Sequence, residues 1–534
     1  MIEENPEDIN SKYVEKVTSG ENKSYWVLST KPLEFEKLIK HEKTDVVVIG
    51  GGISGLTTAF LLAKNGRKVI LVEDGFIGSG ETGRTTAHLV NALDDRYYDL
   101  EKYFGKEGAH LAADSHTAAV NFIEGAVRDE LIDCDFERLD GYLFLDPTDK
   151  MDTLRNEFEA TRRAGIDTEL VDDIPGMSGR RLTGLRFPNQ ATFHPMKYLM
   201  GLCTGLIKYG GTIYTSTHID DFDSTGVVTS DGYRIDAKNI VICTNTPVND
   251  KLVIHTKQAP YRTYVIGALI PKGSLPRCLW WDTGNHNSEW TNYPYHYVRL
   301  QDYDAQYELL IVGGEDHKTG QEYEDGVQEE HRYKILEEWT REFFPMIQEV
   351  KYKWSGQVME PFDSLAYIGK NPMDSDNIYI ATGDSGNGMT HGTIAGMLLT
   401  AMITGKKNRW GELYDPSRKT VSAGKDFIEE NLNVLKQYTK FFTGRGTEAL
   451  EELEAAEAVI ISSGFKKTAV YRDENGKYLS FNAICPHMKC VLEWNSTEKT
   501  FDCPCHGSRF TKYGRVINGP ANTDLEQVDL PDKK

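Results

Sequence analysis

The chain has 534 residues, 39% of them hydrophobic and 10% aromatic, and a formal net charge of −21. That length exceeds one typical core and predicts two or three globular domains. So acidic a chain is a poor partner for nucleic acid or an anionic bilayer, and no run of about 18 apolar residues offers a membrane span.

Met1 to Asp8 is acidic and polar, without the basic and apolar regions of a signal peptide, so a cytoplasmic location is expected. Residues 1–40 read as a polar leader with one apolar patch, Tyr25-Trp26-Val27-Leu28, either lying across the first domain or forming a tail. Asp45-Val46-Val47-Val48-Ile49 runs into a glycine cluster, as a buried parallel strand does. The cluster, Gly50-Gly51-Gly52-Ile53-Ser54-Gly55, supplies G-x-G-x-x-G. Gly50 allows the tight turn, Gly52 lets the backbone approach a pyrophosphate, and Gly55 permits close packing of helix on strand. The free N–H groups of Ile53 and Ser54 then open a helix whose N-terminus favours phosphate. Leu56 to Asn65 has helical periodicity, and Gly66 suits the position just past its end. Lys68 to Glu73 is a second strand ending in an acid that can accept hydrogen bonds from a ribose. The plain alternative is a glycine turn that binds nothing.

Gly78-Ser79-Gly80-Glu81-Thr82-Gly83-Arg84-Thr85-Thr86-Ala87-His88 follows, a small-residue loop just past the ribose acid. It resembles the second FAD loop of the D-amino acid oxidase-like flavoproteins, the glycine and sarcosine oxidase superfamily. The resemblance implies FAD as the cofactor, with Gly80, Thr82, Thr85 and Thr86 beside the pyrophosphate and ring. Arg84 would offset phosphate charge or pair on the surface. His88 would pack at the ring or serve as a covalent attachment point. The fold implied is an α/β Rossmann-like FAD-binding domain with an antiparallel β-sheet substrate domain.

Three amphipathic stretches, near 108–130, 151–164 and 196–209, predict helices around that domain. Gly211 to Thr215 and Val227 to Thr229 read as short strands, and Asn239 to Thr246 as the strand returning to the FAD sheet. Residues 251–355 are aromatic and alternate at strand spacing, as an inserted substrate subdomain would. Arg262, Tyr295 and Arg299 are its candidate substrate-facing residues, since a bidentate arginine suits a carboxylate. Pairing with acids is the equal alternative for both arginines. Ile378 to Gly392 resembles a third FAD signature of the same family. There Gly383, Gly386, Gly388, Met389 and Thr390 lead into a helix, Thr393 to Ile403, whose N-terminus favours negative charge on the flavin. Asp363 is followed by Ser364 where many relatives have proline. Residues 406–450 read as a linker carrying one helix on Ile428, Leu432, Leu435 and Phe442.

From about 451 to 534 a small all-β domain is expected. It holds Cys485-Pro486-His487 and Cys503-Pro504-Cys505-His506, each half offering one thiolate and one imidazole. Such a set can hold a [2Fe–2S] cluster with two Cys on one iron and two His on the other, or a Cys₂His₂ zinc, although zinc fingers seldom mix Cys and His within each half. With Cys490 and Cys505 the pattern resembles the Rieske domain of the cytochrome bc and b6f type. That resemblance implies a [2Fe–2S] cluster on Cys485, His487, Cys503 and His506, a Cys490–Cys505 disulfide, and a Ser508 hydroxyl donating to a cluster sulfur. Phe510 stands where the family often has a tyrosine donor, which lowers the expected potential. The four remaining cysteines, Cys134, Cys203, Cys243 and Cys278, are expected to be free buried thiols.

A flavin and a Rieske cluster in one chain imply a flavin-dependent oxidoreductase acting on an amine or amino acid, its electrons leaving through the cluster to a protein or quinone acceptor. Two other readings stay open: an oxidase using O₂ with a structural or regulatory cluster, and a relay reduced by a protein donor.

Overall fold

The computed structural model describes residues 20–177, 179–247, 252–287, 294–321, 329–419, 433, 437, 440, 445–464 and 466–530. The helix expected on Ile428, Leu432, Leu435 and Phe442 lies outside them.

The run of Val and Ile after Asp45 forms the central strand, Glu42–Ile49, of an eight-stranded sheet. It pairs in parallel with Val69–Val72 on one side and Arg234–Ile242 on the other. Ile378–Thr382 extends the sheet in parallel beyond Arg234–Ile242, and Thr212–Tyr214 beyond Val69–Val72. Parallel strands buried on both faces need covering helices. Helices Ile53–Lys64 and Gly388–Ile403 pack on one another across this sheet. Both follow parallel strands, Glu42–Ile49 and Ile378–Thr382, that stand on either side of Arg234–Ile242, so their N-termini converge on one edge. Gly66, at φ +77°, sits just past the first helix in the left-handed region glycine tolerates.

A nine-stranded sheet stands beside it, built on the long pairings of Gln258–Pro271 with Tyr307–Lys318 and Glu349–Pro361. It is not confined to 251–355. Glu137–Phe144 and Gly184–Thr192, which lie between the stretches expected to be helical, pair with each other and join it through Leu279–Asp282. Their alternation was masked by the stronger helical periodicity of their neighbours, Met151–Ala164 and Pro195–Lys208. The helix expected from 108 begins at Tyr97 and breaks at Gly105, whose φ of 69° is not helical.

The C-terminal domain is two small antiparallel sheets. Glu457–Ser463, Lys466–Arg472 and Tyr478–Asn482 form one, and Glu493–Asn495, Thr500–Asp502, Arg509–Thr511 and Val516–Asn518 the other. Its core gathers Tyr471, Phe481, Trp494, Phe501 and Phe510 with the buried cysteines. From residue 20 onward the N-terminal segment crosses the first domain. Trp26 is wholly buried and its indole N–H donates to the Thr85 carbonyl at 2.6 Å. Among the described residues, no helix is long and apolar enough to cross a membrane.

Candidate functional site

A cavity of about 1580 Å³ opens where the two helix N-termini meet the antiparallel sheet. Gly50, Gly52, Ile53, Ser54, Glu73, Gly80, Thr82, Arg84, Thr85, Thr86, His88, Tyr295, Gly386, Gly388 and Met389 all line it. Gly50 has φ +108°, and a Cβ there would collide with the Cys243 carbonyl oxygen. Gly55 packs beneath it, where a side chain would strike the Gly50 carbonyl. The Glu73 carboxylate ties the floor together, accepting from the N–H of Gly51 at 2.6 Å and of Gly75 at 2.8 Å. Burial pushes its pKa up. Thr82 Oγ1 accepts from the N–H of Ile53 at 3.1 Å, which locks the second loop onto the first. At the other helix, Asn387 makes no side-chain cap, so first-turn N–H groups at Gly388 and Met389 face the cavity. These features fit a dinucleotide with its phosphates at one helix N-terminus and an electron-rich ring at the other.

His88 is fixed by two bonds, Nε2 to the Val298 carbonyl at 3.3 Å and Nδ1 to Thr86 Oγ1 at 3.1 Å. Donation to a carbonyl sets the Nε2–H tautomer. Burial, then Arg299, lowers its pKa to about 3, so the ring is neutral.

Three expected positions lie off the cavity wall. Gly55 supports the glycine turn, Gly383 packs against Pro361 and Gln258, and the Thr390 hydroxyl bonds the Asn387 carbonyl and His116. The two arginines are likewise elsewhere. Ala259, Tyr261, Thr263 and Val265 line the cavity, so strand alternation turns Arg262 to the opposite face. There its Nη2 meets Ser355 Oγ at 2.8 Å and Glu498 at 3.4 Å. Arg299 donates to the carbonyls of Ala87 at 2.8 Å and Phe193 at 2.9 Å, and lies over the Trp26 ring. It pins the second flavin loop instead of reaching into the cavity.

What the sequence did not single out is a carboxylate wall. Asp94, Asp95, Asp316, Glu360 and Asp384 all line the cavity. Ser385 Oγ donates between Asp95 at 2.8 Å and Glu360 at 2.5 Å. Burial raises Asp94 and Asp384 to about 7, Asp95 and Asp316 to about 6, and Glu360 well above its ordinary value. Tyr295 hydrogen-bonds Asp94, and its phenol is raised by burial and by that neighbour. These acids come from four separate segments, so no local spacing announces them.

Beside His255 and the Pro260 and Gln357 positions of the antiparallel sheet sit the loops carrying Cys485, His487, Cys503 and His506. Cys490 and Cys505 form a disulfide that ties the two loops, with Cα atoms 6.5 Å apart. The Cys485 thiol is drawn down to about 7, first by its hydrogen bond with Cys503, and Ser508 also bonds it. The imidazoles of His487 and His506 are 5.2 Å apart, and each has a buried Nδ1 with no hydrogen-bond partner. Burial lowers them to about 4 and about 3, so both are neutral. Buried polar atoms left unpaired are costly, and two thiols with two neutral imidazoles aimed together fit an iron–sulfur cluster. The sulfurs of Cys490, Cys503 and Cys505 also lie within 4.8 Å of one another, but the disulfide removes two of them as ligands.

The flavoprotein half matches the model of the FAD dependent oxidoreductase family over residues 45–402. The chain belongs to that family. A Rieske [2Fe-2S] domain model matches residues 448–529, so this flavoprotein carries both FAD and a [2Fe–2S] cluster as cofactors. It is 31% identical over 95% of its length to YhfW of Bacillus subtilis (strain 168), a protein named for a Rieske 2Fe-2S iron-sulfur centre, of which it covers 97%. It is 28% identical to gamma-glutamylputrescine oxidoreductase of Escherichia coli (strain K12), over 72% of this chain and 90% of that one. Its fold resembles that of glycine oxidase from Geobacillus kaustophilus, with a TM-score of 0.59, 16% identity, and coverage of 71% of this chain and 99% of the other. The family is one of amine and amino-acid oxidoreductases, and this member is an FAD-dependent enzyme of that type.

Proposed function

We propose that the chain dehydrogenates a cationic amine and sends the electrons out through its own Rieske cluster. One observation carries the reading. Ala259, Lys318, Gln321, Phe362 and Asn433 line both the large cavity and a small one, of about 20 Å³, that touches His255 and His506. The flavin cavity and a cluster ligand are thus separated by a single layer of side chains. When bound, FAD supplies a two-electron hydride acceptor and the cluster a one-electron relay.

The carboxylate wall supports an amine over an amino acid. A carboxylate-bearing substrate needs a cation; the two candidate arginines are engaged elsewhere, and the Arg84, Arg96 and Lys318 that line the cavity are outnumbered by its acids. An ammonium group entering beside Asp94 and Asp316 favours their ionised forms and is held by them. Neutral His88 adds no opposing charge. The E. coli relative is named for a putrescine derivative, which supports the same class. The ammonium first gives up a proton to water; the neutral amine then loses a hydride from the carbon next to nitrogen, leaving an iminium that water hydrolyses to a carbonyl and a free amine. The two electrons then leave singly, toward an acceptor protein or quinone.

Anaerobic stopped-flow mixing with a panel of amines and amino acids tests this. Amines are expected to bleach the flavin, with cluster reduction following. Peroxide release in air with the cluster staying oxidised would make the enzyme an oxidase. Reduction by a protein donor alone would make it a relay.

A further inference from the structure

One Rieske-domain carboxylate is buried in the joint with the flavin domain. Glu498 belongs to the Rieske domain, yet its side chain is fully buried. Arg84 Nη1 lies 3.3 Å from it and Arg262 Nη2 3.4 Å, both arginines coming from the flavin domain. Ser355 Oγ donates to the same carboxylate, and the N–H of Asn22, from the N-terminal segment, donates at 3.1 Å. Arg84 also lines the flavin cavity and donates to the carbonyls of Ser355 at 2.7 Å and Gly20 at 2.9 Å. The guanidiniums hold the Glu498 carboxyl below its ordinary pKa against the opposing effect of burial. A second set of bonds reaches the cluster loop itself. Gln321 donates to the Pro504 carbonyl at 3.1 Å and Gln357 to the Gly507 carbonyl at 3.1 Å, on either side of His506.

We propose that Glu498 is the latch that holds the cluster domain in electron-transfer register with the flavin cavity, through Arg84 and Arg262. The glutamine pair fixes the fine position of the His506 loop. The carboxylate supplies most of the energy, because it is the foremost counter-charge of two guanidiniums buried side by side, ahead of Glu81 and Asp502. With a neutral residue in its place, closing the interface would bury two cations without their main counter-charge, and the open arrangement would gain population. Glu498 touches neither cofactor site, so it is a positioning residue. Its importance for turnover rests on the electron route proposed above; the latch does not.

The test uses the full-length holoprotein and two readouts. Hydrogen–deuterium exchange in Glu498→Gln is expected to rise at both faces of the joint, in peptides spanning 352–360 and 500–508. The Rieske strand Lys466–Arg472 should keep its protection, and both cofactor spectra their shape. In stopped flow, flavin bleaching should keep its rate while cluster reduction slows about tenfold or more, as the closed fraction falls. Ser355→Ala, a milder change, should move both readouts in the same direction and serves where Glu498→Gln folds poorly. A double-mutant cycle of Glu498→Gln with Arg262→Gln should be strongly non-additive. Unchanged exchange at both faces in Glu498→Gln and Ser355→Ala, or additive effects in the cycle, would overturn the latch. Raised exchange in a protein whose parent never passes electrons to the cluster would support the latch and sink the electron route instead.

Discussion

The flavin cavity and the cluster loops are built on opposite plans. The cavity is mostly backbone: glycines that clear space, helix N-termini that offer N–H groups, and one carboxylate that cross-ties the loops. The cluster site is four side chains, two of which end in buried nitrogens without a partner. A backbone site tolerates changes of side-chain identity but not of volume. A ligand site tolerates neither.

The largest effect that follows from this contrast is at His506. His506→Ala is expected to abolish the Rieske absorption and paramagnetic signals completely while FAD stays bound, and His487→Ala to do the same. Loss of both cofactors together would break the independence of the two sites. Gly50→Val should do the reverse. Its Cβ would meet the Cys243 carbonyl at a φ of +108°, so FAD content should collapse with the cluster retained, at a cost of about 1–3 kcal/mol in backbone strain alone. Cofactor stoichiometry and thermal melting check both.

A smaller effect is expected at Cys490→Ser. The disulfide closes a loop of 15 residues, worth about 3 kcal/mol, so the Rieske domain should melt earlier while the flavin domain is unmoved. Smallest is a pH effect. In the free enzyme Asp316 and Asp94 titrate at about 6 and about 7, above ordinary aspartate. An ammonium substrate favours their ionised forms, so its binding releases protons and tightens as pH rises through that window. The KM for an amine should therefore fall between about pH 5.5 and 7.5, and Asp94→Asn should flatten the upper part of the curve. The same raised values oppose folding. Each such carboxyl binds its proton more tightly in the folded chain, so stability falls as pH rises from the ordinary aspartate range to the raised value.

How much of this could be read beforehand follows the same division. The cluster ligands and the glycine loop were legible because a metal site and a tight turn each demand particular residue types at short spacing. The carboxylate wall was not, because Asp94, Asp316, Glu360 and Asp384 meet only through the pairing of distant strands and loops. For Arg262 the sequence left two readings open, facing the substrate or pairing with an acid, and it pairs with Glu498. The alternation Ala259, Tyr261, Thr263 names the cavity side, but nothing local says which side of a strand faces the substrate. The strands Glu137–Phe144 and Gly184–Thr192 were missed among strongly amphipathic helices. Glu498 read as one more surface acid in an acidic chain. Its role exists only because two domains meet there.

The burial of the cluster residues decides what can reach the finished centre. Cys485 and Cys503 are sealed, and His506 is 4% exposed with Gln321, Gln357 and His255 packed around its loop. A scaffold that donates iron and sulfide needs to reach those four atoms directly. With the two halves closed only His487 keeps partial exposure, so the finished centre is largely shut away from scaffold, chelators and oxidants alike.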